Sequence, residues 1–262
     1  MLRGALSEHN VTSQTNFRWR GNEITRIEGF SDAVFAFAVT LLVVSLEVPQ
    51  TFNELLSAMR GFIAFAICFG LLASIWYYHY VFFRRYGLQD RYTILLNTIL
   101  LFVVLFYVYP LKFVFTLLIN QMLGDTTVQL PNGAIEPMIE TDQGALLFVI
   151  YGVGYIAISL VFALMYYHAY RQRQQLELTE LEVLDTLTSM RALLLDCGVG
   201  ALSIAIALIG GEGYTALAGF TYFLIGIERS IYGFIRGRQR RKLEARFAST
   251  TNSRKTSKIS KR

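Results

Sequence analysis

Long apolar runs separated by short polar loops recur along the whole 262-residue chain. A helix needs about 20 predominantly apolar residues to cross the hydrocarbon core of a bilayer. Six runs meet or approach this length: Ile27–Val48, Gly61–Phe83, Tyr92–Ile119, Gly144–Tyr167, Ala192–Ile209 and Tyr214–Ile235. The pattern predicts an all-α integral membrane protein with six transmembrane helices per subunit. Because the third run contains Pro110, we expect a kink or an interfacial extension at its outer end.

The composition agrees with a chain that meets lipid rather than water. Hydrophobic residues make up 54% of the chain and charged residues only 16%, whereas about a quarter of the residues of soluble domains are charged. We predict one membrane domain, residues 24–237, between a cytoplasmic N-terminal segment, residues 1–23, and a disordered cytoplasmic tail, residues 238–262. The polar first twenty residues predict that no cleavable signal peptide precedes the first span.

Basic residues fall in alternate loops, with the exception of Arg60, which can snorkel. Outside the tail they precede the first run, separate the second from the third, and separate the fourth from the fifth, at Arg18, Arg20, Arg26, Arg84, Arg85, Arg91, Arg171, Arg173 and Arg191. On the other side, the loop over residues 121–143 holds four acids and no Lys or Arg. Cytoplasmic loops carry the excess of Lys and Arg. We therefore predict a multi-pass protein of the cell membrane with both termini in the cytoplasm.

The C-terminal tail is strongly basic. From Arg236 to Arg262 it carries 11 basic residues and one acid, Glu244. Such a run directly after an apolar helix favours contact with anionic lipid. Nucleic-acid binding is the other use of a basic run. We set it aside because the tail has few aromatic side chains that would stack on bases.

The first apolar run begins with polar residues, and each polar group inside a membrane needs a partner or a purpose. At about 100° per residue, Phe37, Leu41 and Val44 form one stripe, and Asp32 points about 140° away from Phe37. We therefore expect Asp32 to point into the protomer, towards other helices. His79 lies at a similar depth on the second run.

Two further polar residues fall at this depth. Trp76, one turn from His79, supplies an N–H donor, and Asp196 lies at a comparable depth on the fifth run. We interpret these residues, together with Asp32, as an inner-leaflet cluster that locks helices together. We prefer this interpretation to a proton relay because intramembrane polar pairs often join helices. His79 can still titrate near neutrality.

The motif Arg26-x-x-x-Phe30-Ser31-Asp32, followed by Trp76-x-x-His79 in the next run, resembles the prokaryotic members of the transmembrane-protein-175 family of potassium channels. The resemblance implies a homotetramer in which the first helix of each subunit lines a central, potassium-selective pore. It also implies a channel without the Thr-Val-Gly-Tyr-Gly filter, and that sequence is absent here.

The resemblance further implies a role for individual residues of the first helix. The apolar constriction of the family falls on Phe37, Leu41 and Val44, and a hydroxyl residue linked to ion selectivity falls on Thr40. Phe37 departs from the branched aliphatic residue usual at its position. A ring of apolar side chains can block ions by dewetting. The family motif itself, with Trp76 and His79, is expected to have a structural role.

Other functions remain open at this point. A secondary transporter would typically contain internal repeats and helices broken near the middle of the membrane, and a proton-permeable membrane protein is the related alternative. An enzyme is not expected, because the three histidines, His9, His79 and His168, are not paired at metal-ligand spacing. We predict no cofactor and no metal beyond permeant potassium.

Overall fold

A computed structural model of the protein describes residues 17–21, 23–44, 50–124, 126–129, 133–210, 215–226, 229–230, 233 and 237. Six α-helices follow one another in this part of the chain: α1 (Arg26–Val44), α2 (Phe52–Tyr86), α3 (Arg91–Leu123), α4 (Gly144–Arg171), α5 (Glu180–Gly210) and α6 (Thr215–Phe220). Between α3 and α4, strands β1 (Thr127–Gln129) and β2 (Ile135–Pro137) pair antiparallel, and a 3-10 turn covers Thr141–Gln143.

Each predicted apolar run overlaps a helix, so the helical fold with several apolar spans is confirmed. Within the described part of the chain, four helices are long and apolar enough to cross a membrane, namely Gly61–Tyr86, Arg91–Leu123, Gly144–Arg171 and Glu180–Gly210. Residues 45–48 of the first run and most of the second half of the sixth lie outside the described residues, as does the predicted tail, residues 238–262.

Two helices begin well before the predicted spans. α2 begins at Phe52 rather than near Gly61, and α5 begins at Glu180 rather than near Ala192. The extension of α5 has its own N-terminal cap. The Thr179 N–H donates to Glu182, and the Glu182 N–H donates to the Thr179 hydroxyl. This reciprocal capping box satisfies orphan donors at the helix start, so hydropathy alone underestimates the length of α5.

The third helix is continuous past its proline. Pro110 lies inside α3, which continues to Leu123 and ends on Gly124 in the left-handed conformation, at φ 77°. At the other end, Asp90 caps the helix by accepting a hydrogen bond from the Tyr92 N–H at 3.2 Å. α3 packs against α1, α2 and α4, and its buried residues, such as Leu100 and Val104, lie in the hydrophobic core.

α4 and α5 pack closely because glycines line their contact. A Cβ added at Gly200 would lie 2.7 Å from the Ile156 side chain, and one at Gly152 would lie 2.7 Å from Ile204. Small residues let helix backbones approach within a membrane. The α4–α5 pair therefore forms a tight unit that contacts α3 through α4.

Candidate functional site

Helix α1 has one buried face and one exposed face. Its buried residues are spaced three and four apart, as one side of a helix requires: Glu28, Ser31, Phe35, Ala38 and Leu42. On the opposite face Phe37 is 56% exposed, and Thr40 is also exposed. One side of α1 thus packs on α2 and α3, and the other faces away from the chain.

The predicted stripe is divided between these faces. Phe37 lies on the exposed face, whereas Leu41 is half-buried and packs against the hydrophobic core. The side chain of Val44 lies outside the described residues. The Thr40 hydroxyl donates to the Phe37 carbonyl oxygen at 2.6 Å. The exposed face is centred between Phe37 and Thr40, and Leu41 lies at its edge.

A buried polar network joins α1 to two neighbouring helices. Ser31 Oγ donates to the Ile27 carbonyl at 2.8 Å and accepts from Asn97 Nδ2 at 2.9 Å. Asn97 Oδ1 in turn lies 2.8 Å from His79 Nε2. The side chains of Ser31, His79 and Asn97 are all at most 2% exposed. Since the Asn97 amide nitrogen faces Ser31, its carbonyl oxygen accepts a hydrogen bond from the Nε2–H of His79.

Asp32 makes a separate contact at the surface of the chain. The Trp76 indole Nε1 donates to Asp32 Oδ1 at 2.8 Å, and Trp76 stacks on Tyr80. Both Asp32 and Trp76 are exposed. Asp32 thus points towards α2, the expected helix, but its carboxylate lies at the surface of the chain rather than in the interior. Ser31, about 100° further round the helix, occupies the buried position instead.

Asp196 does not belong to this network. Asp196 is 1% exposed, and its Oδ2 lies 2.5 Å from Nη2 of Arg229, a residue of the sixth apolar run. The prediction that it lies with Asp32 and His79 was wrong because equal depth in a membrane does not make two helices neighbours. α5 packs on α4 and α6 rather than on α1.

Further contacts secure the two ends of α1. Glu28 forms a capping box with Thr25, whose N–H donates to Glu28 Oε2 at 2.8 Å. Glu28 Oε1 also lies 3.9 Å from Arg84 Nε. Near the other end, Lys112 Nζ donates to the Leu42 carbonyl at 2.8 Å. Arg26 of the predicted motif is exposed, and it forms no ion pair with any of the described residues.

Sequence reasoning missed Asn97, Glu28 and Lys112. Asn97 is the single amide side chain in the third apolar run, and a polar group there needs a partner. Glu28 follows Thr25 at capping-box spacing. Both signals were available in the sequence. Among the described residues, no group of three His, Cys, Asp or Glu side chains could hold a metal ion.

Comparison with known proteins gives consistent matches. Residues 26–107, which contain the motif and the polar network, match the family described as "Endosomal/lysosomal potassium channel TMEM175". A potassium channel of Marivirga tractuosa is 48% identical over 241 residues, which cover 87% of this chain and 94% of that protein. A potassium channel of Chamaesiphon minutus is 35% identical over 97 residues, 34% of this chain and 48% of that protein.

A solved structure extends the likeness to three dimensions. The crystal structure of a variant of the potassium channel MtTMEM175, in complex with a nanobody–MBP fusion protein, superposes with a TM-score of 0.73 at 47% identity. The match covers 85% of this chain and 97% of that one. The likeness therefore includes the helices outside the segment that carries the motif.

Proposed function

Since this chain belongs to the TMEM175 family, we propose that it forms a potassium-selective leak-type channel in the cell membrane. One observation carries the proposal. α1 buries a regular face against its own chain and leaves Phe37, at 56% exposure, and Thr40 on the other. An apolar side chain beside a hydroxyl on an exposed face suits a helix that lines a narrow aqueous path.

The proposed channel is a homotetramer with α1 innermost. One helix per chain cannot enclose a pore, but several copies around an axis can, and closed cyclic symmetry is the usual arrangement. The contacts of α1 with α2 and α3 lie on its buried face. Its exposed face is thereby left for copies of the same helix. The helices α2 to α6 then form the outer part of each subunit.

Within this pore we propose a constriction formed by Phe37, Leu41 and Val44. Rings of apolar side chains exclude water from a narrow path and so prevent ions from passing. Thr40 supplies the oxygen atoms that would replace part of the hydration shell of potassium. Because its proton is donated to the Phe37 carbonyl, the lone pairs of the hydroxyl remain available to a cation.

The polar network behind α1 has a structural role in this proposal. Ser31, Asn97 and His79 join three helices through buried hydrogen bonds. Asp32 and Trp76 add a fourth contact between α1 and α2. Buried polar groups that satisfy one another fix one arrangement of helices, because any displacement leaves them unpaired. The network would hold the exposed face of α1 towards the axis.

The proposed topology places both termini in the cytoplasm. The basic residues at the start of α1, between α2 and α3, and between α4 and α5 then share the cytoplasmic side. The acidic hairpin between α3 and α4 lies on the opposite side. The tail, residues 238–262, would contact anionic lipid.

Flux through the purified protein in liposomes tests this function. We expect a sustained potassium leak that dissipates a potassium gradient in the manner of valinomycin, with sodium flux much smaller. Native mass measurement in mild detergent should give four copies per particle. Flux that saturates and requires a coupled ion would instead indicate a secondary transporter, and particles of one copy would exclude the proposed pore.

A further inference from the structure

The residues just before α1 form a strap, residues 17–21, that is bound to the end of α2. Phe17 is 1% exposed, packs edge-on against Tyr86 and lies under the guanidinium of Arg85. The backbone N–H groups of Arg20 and Gly21 both donate to the Arg84 carbonyl, at 3.0 and 3.2 Å. The strap is thus held by side chain and backbone together.

Arg20 also binds the start of α5. Its guanidinium donates to both carboxylate oxygens of Glu182, at 2.8 and 3.1 Å, and to the Leu176 carbonyl at 2.7 Å. The Arg18 backbone N–H donates to the same carboxylate at 2.9 Å. Glu182 is 2% exposed. Two parallel hydrogen bonds between a guanidinium and a buried carboxylate are directional as well as strong.

The strap has no room to shift against α2. A Cβ added at Gly21 would lie 2.6 Å from the Phe83 carbonyl oxygen. Gly87, at φ +61°, faces the Arg20 carbonyl, and a Cβ there would lie 3.2 Å from it. The backbone approach therefore requires glycine on both sides. Because the strap packs this closely against α2, it moves with α2 when that helix is displaced.

Two ion pairs and the backbone hydrogen bonds between them connect α5 to α1 through this strap. Glu182 caps α5 and binds Arg20, which is hydrogen-bonded through its backbone to Arg84. The Arg84 guanidinium donates to the Gly21 carbonyl and lies beside Glu28, which caps α1. Each capping glutamate thus has a second role, since it joins its helix to a neighbouring arginine.

We propose that Arg20 and Glu182 are a positioning pair for conduction, which holds the cytoplasmic end of α1 and so keeps the channel open. The proposal rests on the function proposed above. Phe37 is largely exposed within its own chain. Once α1 is released from the strap, the Phe37 side chains of the four subunits come together on the pore axis, because contact between them removes apolar surface from water. The pair would oppose this collapse without touching an ion.

The substitution Glu182→Gln tests the pair with little effect on the helix cap, since glutamine also completes a capping box. We expect the single-channel open probability to fall by roughly threefold or more, because the loss of a charge-assisted hydrogen bond shifts the equilibrium between the open and closed states. Unitary conductance and the potassium-to-sodium permeability ratio should stay unchanged. Arg18→Gln is the matched control, because Arg18 is exposed and contacts Glu182 only through its backbone.

An assembled Glu182→Gln channel with the open probability of the unsubstituted protein would overturn the proposal, as would an altered permeability ratio. Should Glu182→Gln fail to assemble, Arg20→Lys is measured instead. Lysine keeps the positive charge but lacks the planar guanidinium that binds both carboxylate oxygens at once. Failure of both to assemble would assign the pair to folding and also overturn the proposal.

A further measurement separates this proposal from the channel function. If the unsubstituted protein conducts no ions, the proposed function fails. Hydrogen exchange of the backbone at the start of α1 then still reports on the strap. Faster exchange of this segment in Glu182→Gln than in Arg18→Gln would support the positioning of α1, and equal exchange would overturn it.

Discussion

Asn97 Nδ2 of α3 lies 2.9 Å from Ser31 Oγ of α1, and this buried hydrogen bond joins the candidate pore helix to the centre of the bundle. Asn97 uses both ends of its amide, because its oxygen accepts from His79 of α2. A single side chain therefore pairs polar groups on two other helices. Its position makes the alignment of α1, α2 and α3 interdependent.

Asn97→Ala should destabilise the folded protein by about 1–3 kcal/mol, because it removes the buried partner of His79 Nε2 and the hydrogen bond that Ser31 Oγ accepts. Thermal melting of the detergent-solubilised protein, followed by size-exclusion chromatography, measures this. Thr98→Ala is the matched control, since the exposed Thr98 hydroxyl bonds only the Ile94 carbonyl of its own helix. Equal melting temperatures for the two variants would contradict the structural role of Asn97.

The sequence predicts the helices and most of the polar residues that matter, but not their partners. Ser31, Asp32 and His79 stand out because they are polar within apolar runs. Helical periodicity gives the direction of a side chain on its own helix and does not give the helix that lies opposite. Asp196 was assigned to the wrong cluster for this reason, and its partner is Arg229.

The contacts of the strap could not be predicted from any local pattern. Arg20 and Glu182 are 162 positions apart, and only the tertiary structure, in which Tyr86 of α2 also bonds Thr186 of α5, brings them together. The capping boxes at Thr25–Glu28 and Thr179–Glu182 do have a local signature. They predict where the two helices begin, whereas the arginine that each glutamate binds depends on the tertiary structure.

Asp32→Asn should weaken the attachment of α1 to α2 more than it changes ion selectivity. The substitution replaces a charged acceptor for the Trp76 N–H by a neutral one, at a cost of about 0.5–1.5 kcal/mol. Melting and assembly of Asp32→Asn, Trp76→Phe and the double variant should give a coupling energy of that order. A stable, assembled Asp32→Asn protein with altered permeability ratios would show that Asp32 acts on ions directly.

Asp90 makes stability depend on pH at the loop before α3. Partial burial raises the pKa of this carboxyl, but hydrogen bonds from Thr93, His168 and the Tyr92 N–H outweigh burial and hold the pKa below its usual range. A carboxyl whose pKa is lowered by folding stabilises the folded state above its unfolded pKa, which is about 3.9. That stabilisation is lost as the pH falls through the folded pKa.

Asp90→Asn should therefore reduce stability near neutral pH and remove part of the loss on acidification. Asparagine still caps a helix well, so the difference reports mainly on the charge. Melting temperatures measured between about pH 3 and 7 should converge for the two proteins at the acidic end. A constant difference across this range would contradict the assigned role of the Asp90 charge.

Phe37→Ala should raise the cation leak, because a smaller side chain lowers the barrier to wetting of the proposed constriction. Phe37→Asn should raise it further by adding a polar group. Phe102→Ala is the matched control, since Phe102 is also an exposed phenylalanine, at 70%, but lies on α3. Liposome flux at equal protein density compares the variants. An unchanged leak in Phe37→Asn would remove this residue from the constriction.

Thr40→Val separates selectivity from conduction. The substitution keeps the shape of the side chain and removes the oxygen whose proton is donated to the Phe37 carbonyl. If that oxygen contacts potassium, the potassium-to-sodium permeability ratio should fall while the conductance is largely retained. Thr98→Val is the control, because its exposed hydroxyl is bonded in the same way on α3. Loss of conductance and selectivity together would indicate damage to the fold, and an unchanged ratio would place the selective oxygen elsewhere.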